Sequence, residues 1–385
     1  MTKKIRILFA IGSLGGGGAE RVILDQLAKL NRKKFTPLLY LVSHTGSLLS
    51  ELPKDVPVFA FHSRNSKSRW NWPGRIHRQI VADLSNVIRE QQVDLVFDHT
   101  FHMTLLAGPA TAVTNTRRIS LVVCDPEKDL INNESRFLSF KRRLLKTAYQ
   151  SADVVVAVSE GVRAATIDSY DCDPAFVQTI YNPINIERID EFYNQGELQL
   201  SSEQFHVVSC GRLHAQKGFS CLIEAAEKLI YEKGLTNLRF HILGEGPCRE
   251  ELEQEIQQRH LNDYVFLPGF QSNPFQYYRA AQLFCLPSLY EGFGLVLAEA
   301  MACRIPVLST DCPSGPAEIL ADGEFGRLVE PGNSDALADQ ISDAVSHYES
   351  WKSIVPAARE RVEEMFAYDA GMQRLESLFE SVVAN

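Results

Sequence analysis

Short apolar runs that do not alternate with polar residues recur along the whole chain, and stretches of helical periodicity fall between them. In the first half the runs lie at residues 5–11, 38–42, 56–61, 95–97, 119–123 and 154–158, with helical patterns at 20–30 and 76–90. In the second half they lie at 207–209, 240–243, 264–267, 283–286 and 305–308, with helical patterns at 221–229, 249–258, 295–303 and 336–348. A strand that is apolar on both sides has to be covered on both faces, as in a parallel sheet sandwiched by helices. At 385 residues the chain exceeds one ordinary domain. The expected fold class is α/β, with two doubly wound, Rossmann-like domains facing across a cleft. The first is expected over 1–183 and the second over 184–365, with the boundary near 181–185 or in the polar stretch 194–204. The last helix, near 370–383 within the segment 366–385, could return to pack on the first domain, which the sequence alone does not show.

Composition narrows the class. A content of 45% hydrophobic and 23% charged residues is that of a globular protein. The eight cysteines form no Cys-x-x-Cys and mostly lie in apolar surroundings, which predicts buried free thiols in a reducing compartment. The charged start Lys3, Lys4, Arg6 precedes only five apolar residues before Gly12, too few for a signal peptide. No apolar run approaches the ~18–20 residues of a membrane span. These features predict a cytoplasmic protein. Residues 1–180 carry 24 Lys/Arg against 17 Asp/Glu, whereas 181–385 carry 15 against 31. A basic first half suits an anionic partner or membrane surface, while the overall charge of −9 and the lack of a nucleic-acid-binding motif argue against DNA or RNA.

Ligands of open parallel sheets bind at the carboxyl ends of the strands, so residues that follow strands carry the functional reading. After the first strand comes Gly12-Ser-Leu-Gly15-Gly16-Gly17-Gly18-Ala-Glu20, whose glycines allow close approach of a ligand to the backbone. Its spacing is not G-x-G-x-x-G, and the second strand ends in Val42-Ser43-His44 with no acid for a ribose, so a dinucleotide cofactor is not expected. After residues 205–210 comes Gly211-Arg212-Leu213-His214-Ala215-Gln216-Lys217-Gly218. Arg212 offers a planar fork to phosphate oxygens and Lys217 a point charge at the start of a helix. Gly244-Glu245-Gly246-Pro247 and Pro268-Gly269-Phe270 each close a strand, and either geometry or ligand contact accounts for them. Glu291-Gly292-Phe293-Gly294-Leu295-Val-Leu-Ala-Glu299 places carboxylates around a helix start, where unpaired N–H groups and the macrodipole seat a phosphate. With hydroxyl-binding acids on either side of a phosphate seat, the pattern reads as a sugar-nucleotide site. Asp171-Cys172-Asp173 is the one D-x-D, but it lies in a loop before a strand and a metal role is not expected.

The pattern G-R-L-x-x-x-K-G, L-G-E-G-P and E-G-F-G-x-x-x-x-E resembles the retaining glycosyltransferases of family 4, which have the GT-B fold. The resemblance extends to the opening Gly-Gly-Gly-Gly-Ala-Glu-Arg, Ala157-Val-Ser-Glu-Gly161, Tyr181-Asn-Pro183 and Ser314-Gly-Pro-Ala-Glu318. It runs to bacterial enzymes that build lipopolysaccharide cores, O-antigens or capsules, often from UDP-sugars. It implies donor binding on the second domain and acceptor binding on the first. By motif position it implies that Arg212 and Lys217 hold a diphosphate and that Glu291 contacts sugar hydroxyls. The amides of Phe293, Gly294 and Leu295 would lie near sugar and phosphate, with Glu299 on the ribose. Gly15, Gly16, Gly17, Gly244 and Phe270 would line the donor. It implies retention without a metal or resident cofactor, the leaving diphosphate taking the acceptor proton while the protein orients and stabilises charge. Many relatives carry a histidine after the strand matching 119–123; here Asp125 stands near that place, and His99 matches another histidine that follows a strand.

Two segments bear on the acceptor. Residues 63–78 interleave Arg64, Lys67, Arg69, Arg75 and Arg78 with Trp70 and Trp72, a pattern suited to a membrane interface or lipid-linked acceptor. Residues 136–149 place Phe137, Phe140, Leu144, Leu145 and Ala148 on one helical stripe, which is expected to pack on the sheet with its basic residues in water. The expected activity is transfer of a hexose or N-acetylhexosamine from a nucleotide-diphosphate sugar, UDP foremost, to a lipid-linked or cell-surface glycan, with peripheral contact at the inner membrane. The alternatives are a UDP-sugar epimerase or hydrolase, or a sugar-nucleotide-binding protein without catalysis.

Overall fold

The computed structural model describes residues 3–64, 74–133, 137–196 and 198–384. The basic tryptophan segment falls largely outside them, Trp70 and Trp72 included. Backbone contacts divide the chain into two units, Met1–Pro183 with Asp369–Asn385, and Ile184–Tyr368.

The first unit holds a seven-stranded sheet: β1 (Ile5–Ile11), β2 (Phe35–Leu41), β3 (Val58–Ala60), β4 (Leu95–His99), β5 (Arg117–Val122), β6 (Val154–Ala157) and β7 (Val177–Thr179). Its order is β3-β2-β1-β4-β5-β6-β7 and every pairing is parallel. The second unit holds β8 (Phe205–Cys210), β9 (Leu238–Leu243), β10 (Val265–Gly269), β11 (Leu283–Leu286), β12 (Val307–Thr310) and β13 (Arg327–Val329), in the order β10-β9-β8-β11-β12-β13, again all parallel. Both are doubly wound, Rossmann-like α/β units. Each has one place where the order reverses: between β1 and β4 in the first, and between β8 and β11 in the second. In such sheets that reversal opens the binding crevice.

The strands are buried because both faces are covered. Phe9, Phe97, Val96 and Leu39 have no exposed surface in the first unit, nor do Phe240, Ile242, Leu283 and Phe284 in the second. The terminal helix Tyr368–Ala384 packs on the first sheet: the Phe379 ring lies 5.2 Å from Phe97, 6.0 Å from Phe35 and 6.2 Å from Phe9. A fully buried phenylalanine of this kind stabilises by about 1.5–3 kcal/mol. Polar ties secure the same helix, with Glu376 accepting from the Asn31 amide at 2.8 Å and Lys34 pairing with Glu380.

The helix Leu138–Gln150 departs from expectation. Only its C-terminal half packs, burying Leu145, Ala148 and Tyr149 against the helix Phe101–Thr114, where Gly108 lets the Ala148 methyl come close. Phe137, Phe140 and Leu144 are exposed at 74%, 62% and 38%, so most of the apolar stripe does not face the sheet. Among the described residues no helix is long and apolar enough to cross a membrane.

Candidate active site

In the second unit the two loops at the sheet reversal carry the charged residues singled out above. The chain leaves β8 through Gly211, makes a tight turn at Ala215–Lys217, and enters the helix Phe219–Glu227 through Gly218, whose φ of 63° is left-handed. A side chain at Gly218 would strike the Pro287 carbonyl after β11, so the two loops are in backbone contact. Leu289 donates its amide to the Gln216 carbonyl at 2.8 Å, and the Gln216 side chain returns a bond to the Tyr290 carbonyl at 3.0 Å. This lacing brings Lys217 Nζ within 2.5 Å of Glu291 Oε1, with their side chains only 16% and 6% exposed. Ser288 Oγ donates to the same oxygen at 2.6 Å, and the Thr310 hydroxyl donates to the Ser288 carbonyl. An ammonium and a carboxylate so far removed from water must be paired.

Arg212, on the same loop, is exposed, and its guanidinium makes no hydrogen bond or ion pair with any described residue. His214 lies beside it: burial, then the charges of Arg212 and Lys217, hold its imidazole below the usual histidine range, while its Nδ1 accepts from the Gln216 amide. The ring is therefore neutral at neutral pH, and the local field is positive. The helix Leu295–Ala302 begins on Gly294, with a φ of 95° and no side-chain cap; Leu297 donates its amide to the Gly294 carbonyl at 2.8 Å. Phe293 is buried with its ring 5.2 Å from Phe366, which fixes the turn, and a side chain at Gly315 would strike the Phe293 carbonyl. Glu299 lies one turn into the helix, half-buried, and its charge helps push the Cys210 thiol up to about 11, though burial is the larger cause. Lys217 and Glu291 are joined across the two loops, with Arg212 on the first loop and the uncapped helix start on the second, an arrangement chemically suited to an anion flanked by hydroxyls.

Gly244 and Phe270 take different places. Gly244 is buried with a φ of 136°, and a side chain there would meet the Gly211 carbonyl. It lets the loop after β9 cross tightly beneath the arginine loop, where Leu213 donates to the Glu245 carbonyl. Phe270 follows β10 and is 57% exposed. An open groove of about 550 Å³ along the edge strand β10, lined by His241, Phe266 and Tyr277, shares none of the cluster's residues.

At the reversal of the first unit the chemistry differs. The glycine loop is clasped against the segment after β2: Leu14 donates to the Thr45 carbonyl at 3.0 Å, and Gly46 packs on the Leu14 carbonyl. Gly16 has a left-handed φ of 105°, Gly15 and Gly17 are exposed, and the Glu20 carboxylate lies over Gly17 at the uncapped start of the helix Gly18–Lys29. Across from it His99 ends β4 with no exposed surface, edge-on to Phe97 at 4.5 Å and near Phe9 at 6.4 Å. Neither ring nitrogen has a hydrogen-bond partner, and burial pushes the imidazole down to about 3. The next residue, Thr100, holds a φ of 74°, a strained value for a β-branched side chain. Asp98 is buried beneath, accepting from Thr104 at 2.6 Å and Ser120 at 2.8 Å, with its pKa raised by burial despite nearby Arg118.

Asp125 stands after β5 and caps the helix Pro126–Asn133, its Oδ1 accepting from the Glu127 and Lys128 amides at 3.1 Å each. The D-x-D is likewise taken up locally: Asp171 pairs with Lys146, and Asp173 caps the turn Pro174–Phe176. Among the described residues no group of three or more His, Cys, Asp or Glu could hold a metal ion. Ser288 and Gln216, which set the Lys217–Glu291 geometry, were not singled out from the sequence. The available signal was a serine three residues before Glu291, directly after a strand.

Two doubly wound Rossmann-like units with this order of strands are the architecture of GT-B proteins, and solved structures agree. The Anabaena protein HepE in complex with UDP aligns over 98% of this chain and 100% of its own with a TM-score of 0.78, at 21% identity. Residues 16–188 match the family model described as Glycosyltransferase Family 4, and 191–361 match Glycosyl transferases group 1. The chain is therefore a GT-B glycosyltransferase, its first half a family 4 domain. It is 28% identical to the N-acetylgalactosamine-N,N'-diacetylbacillosaminyl-diphospho-undecaprenol 4-alpha-N-acetylgalactosaminyltransferase of Campylobacter jejuni, covering 85% of this chain and 86% of that one. It is also 28% identical to the N-acetyl-alpha-D-glucosaminyl L-malate synthase of Bacillus anthracis, over 96% and 95% of the two chains.

Proposed function

We propose that this glycosyltransferase moves an N-acetylhexosamine or hexose from a UDP-sugar to a lipid-linked or cell-surface glycan, with retention of anomeric configuration and without a metal. The observation that carries the reading is the cluster at the β8/β11 reversal, where the Arg212 guanidinium is unpaired and Lys217 is set on Glu291 beside an uncapped helix start. When a diphosphate leaves the sugar, negative charge grows on its oxygens. Cations and helix N–H groups already in place stabilise that charge without reorganising. Glu291 is acceptor-only towards sugar hydroxyls, and its bonds from Lys217 and Ser288 hold its carboxylate in one orientation. A diphosphate would share the Lys217 ammonium with Glu291.

Support for an N-acetylhexosamine and a polyprenyl-diphosphate acceptor comes from the name of the Campylobacter relative, and support for UDP from the ligand of the Anabaena structure. The α-linkages in the names of both curated relatives favour retention. In the proposed reaction the sugar–phosphate bond breaks, the acceptor oxygen bonds to the anomeric carbon on the same face, and the departing phosphate oxygen takes the acceptor proton. The test is incubation with a panel of UDP-, GDP- and ADP-sugars and diphospho-undecaprenol-linked saccharides, followed by mass spectrometry and anomeric coupling constants. An α-glycoside formed from a UDP-sugar in the presence of a chelator supports the reading. A β-product, a strict metal requirement, or nucleotide release without a glycosylated product contradicts it.

A further inference from the structure

In the first unit, large apolar side chains left in solvent concentrate in one place. Ile131 at 53%, Phe137 at 74%, Phe140 at 62% and Leu144 at 38% lie within fourteen residues of one another. Phe137, Phe140 and Leu144 are spaced i, i+3 and i+7, which confines them to an arc of about 60° on the helix they start. Ile131 lies near the end of the preceding helix, Pro126–Asn133, which packs beside it.

Cations border this stripe. The helix Leu138–Gln150 contains Lys141, Arg142, Arg143 and Lys146 and no acidic residue. On the helical wheel Lys141 flanks the stripe on one side and Arg143 on the other. Arg142 is held by Glu127 and Lys146 by Asp171, whereas Arg143 is exposed and its guanidinium pairs with no described residue. A helix start with bulky aromatics facing out and long cationic stems at its margins suits an anionic lipid surface. The rings sink to the level of the acyl chains while the charged heads remain among the phosphates. A contact with a protein core would call for an apolar face free of flanking charge, whereas this helix carries cations and no acid beside its exposed rings.

We propose that Ile131, Phe137, Phe140 and Leu144, bordered by Lys141 and Arg143, form a docking face for an anionic bilayer. The face holds the enzyme at the membrane that carries a lipid-linked acceptor. Only that second statement rests on the proposed function; the binding itself does not.

The test uses the full chain in co-sedimentation with vesicles of phosphatidylethanolamine and phosphatidylglycerol, and with vesicles of phosphatidylcholine alone, at low and high salt. The wild type is expected to bind the anionic vesicles and to release as salt rises. Phe137→Ser/Phe140→Ser/Leu144→Ser is expected to lose at least ~10-fold in partition at both salt concentrations. Lys141→Gln/Arg143→Gln is expected to weaken binding only to anionic vesicles at low salt. Both variants should melt as the wild type does, because Phe137, Phe140, Leu144 and Arg143 are exposed and Lys141 is half-exposed. Should the serine variant fail to fold, the glutamine variant decides alone. Turnover on a short soluble acceptor should stay within ~2-fold of wild type, while turnover on acceptor embedded in vesicles falls in step with binding. Wild-type partition equal on neutral and anionic vesicles, or partition unchanged in both variants, overturns the proposal. Absent turnover on every acceptor with vesicle binding intact would count against the proposed reaction and leave the docking face standing.

Discussion

The two sheet reversals have the same topology and opposite chemistry. Between β8 and β11 the loops pair Lys217 with Glu291 just before a helix start and leave Arg212 exposed on the first loop. Between β1 and β4 the equivalent place holds a glycine loop and a histidine walled in by Phe9 and Phe97, on which the terminal Phe379 also packs. A doubly wound fold supplies the crevice in both cases, and the residues after the strands decide what can enter it. The first reversal closes around a buried histidine, and the second presents a charged pair beside an exposed arginine.

The contrast can be broken or sharpened by experiment. The largest effect is expected from Phe379→Ala, which removes a fully buried ring from the aromatic cluster and should cost about 3–5 kcal/mol in urea denaturation. A loss below ~1 kcal/mol would mean that the terminal helix does not seal this reversal. Next, Arg212→Ala and Lys217→Ala should each lower turnover at least ~10-fold, with little change in melting for Arg212→Ala. Unchanged kinetics in both single variants would remove the second reversal from the mechanism.

The His99 imidazole offers a finer test. Burial sets it at about 3 in the folded protein, below the ordinary ~6.5 of an unfolded chain. The neutral ring's contribution to stability is complete above ~6.5 and declines as pH falls towards 3, by up to ~1.4 kcal/mol per pH unit. His99→Leu should flatten the stability–pH slope in that window by about one proton. His241, pushed down to about 4, and His206 act in the same direction and remain in both proteins. Equal slopes would show that His99 titrates normally and is open to water. The smallest effect is expected at Ser288→Ala, which removes one bond to Glu291 and should weaken donor use by about 1 kcal/mol, roughly 5-fold in kcat/KM.

Much of this was legible in the sequence, for physical reasons that differ by element. The strands β1 and β11 and the helix Arg249–Gln258 fall where uninterrupted apolar runs and helical periodicity place them. The strand β13 escaped because three residues, two of them half-exposed, leave no apolar run. The helix Phe101–Thr114 escaped because it is apolar almost all round, with Pro109 inside, and shows no amphipathic period. At the second reversal, glycines and charges after strands marked both loops, but only the fold could show that Lys217 and Glu291, 74 residues apart, touch. For His99 a post-strand position said nothing of burial, which comes from the rings of Phe9 and Phe97 beside it in the fold. The stripe beginning at Phe137 reads correctly as a helix face; whether anything covers it is a tertiary matter, and only Leu145 and Ala148 are covered.

The most direct measurement is a crystal structure of the protein with UDP. The account predicts the diphosphate within hydrogen-bond distance of Arg212 and Lys217, in front of the first turn of Leu295–Ala302, with Glu291 left facing the space for the sugar. A diphosphate bound at the glycine loop of the first unit, or anywhere beyond reach of both cations, would contradict it.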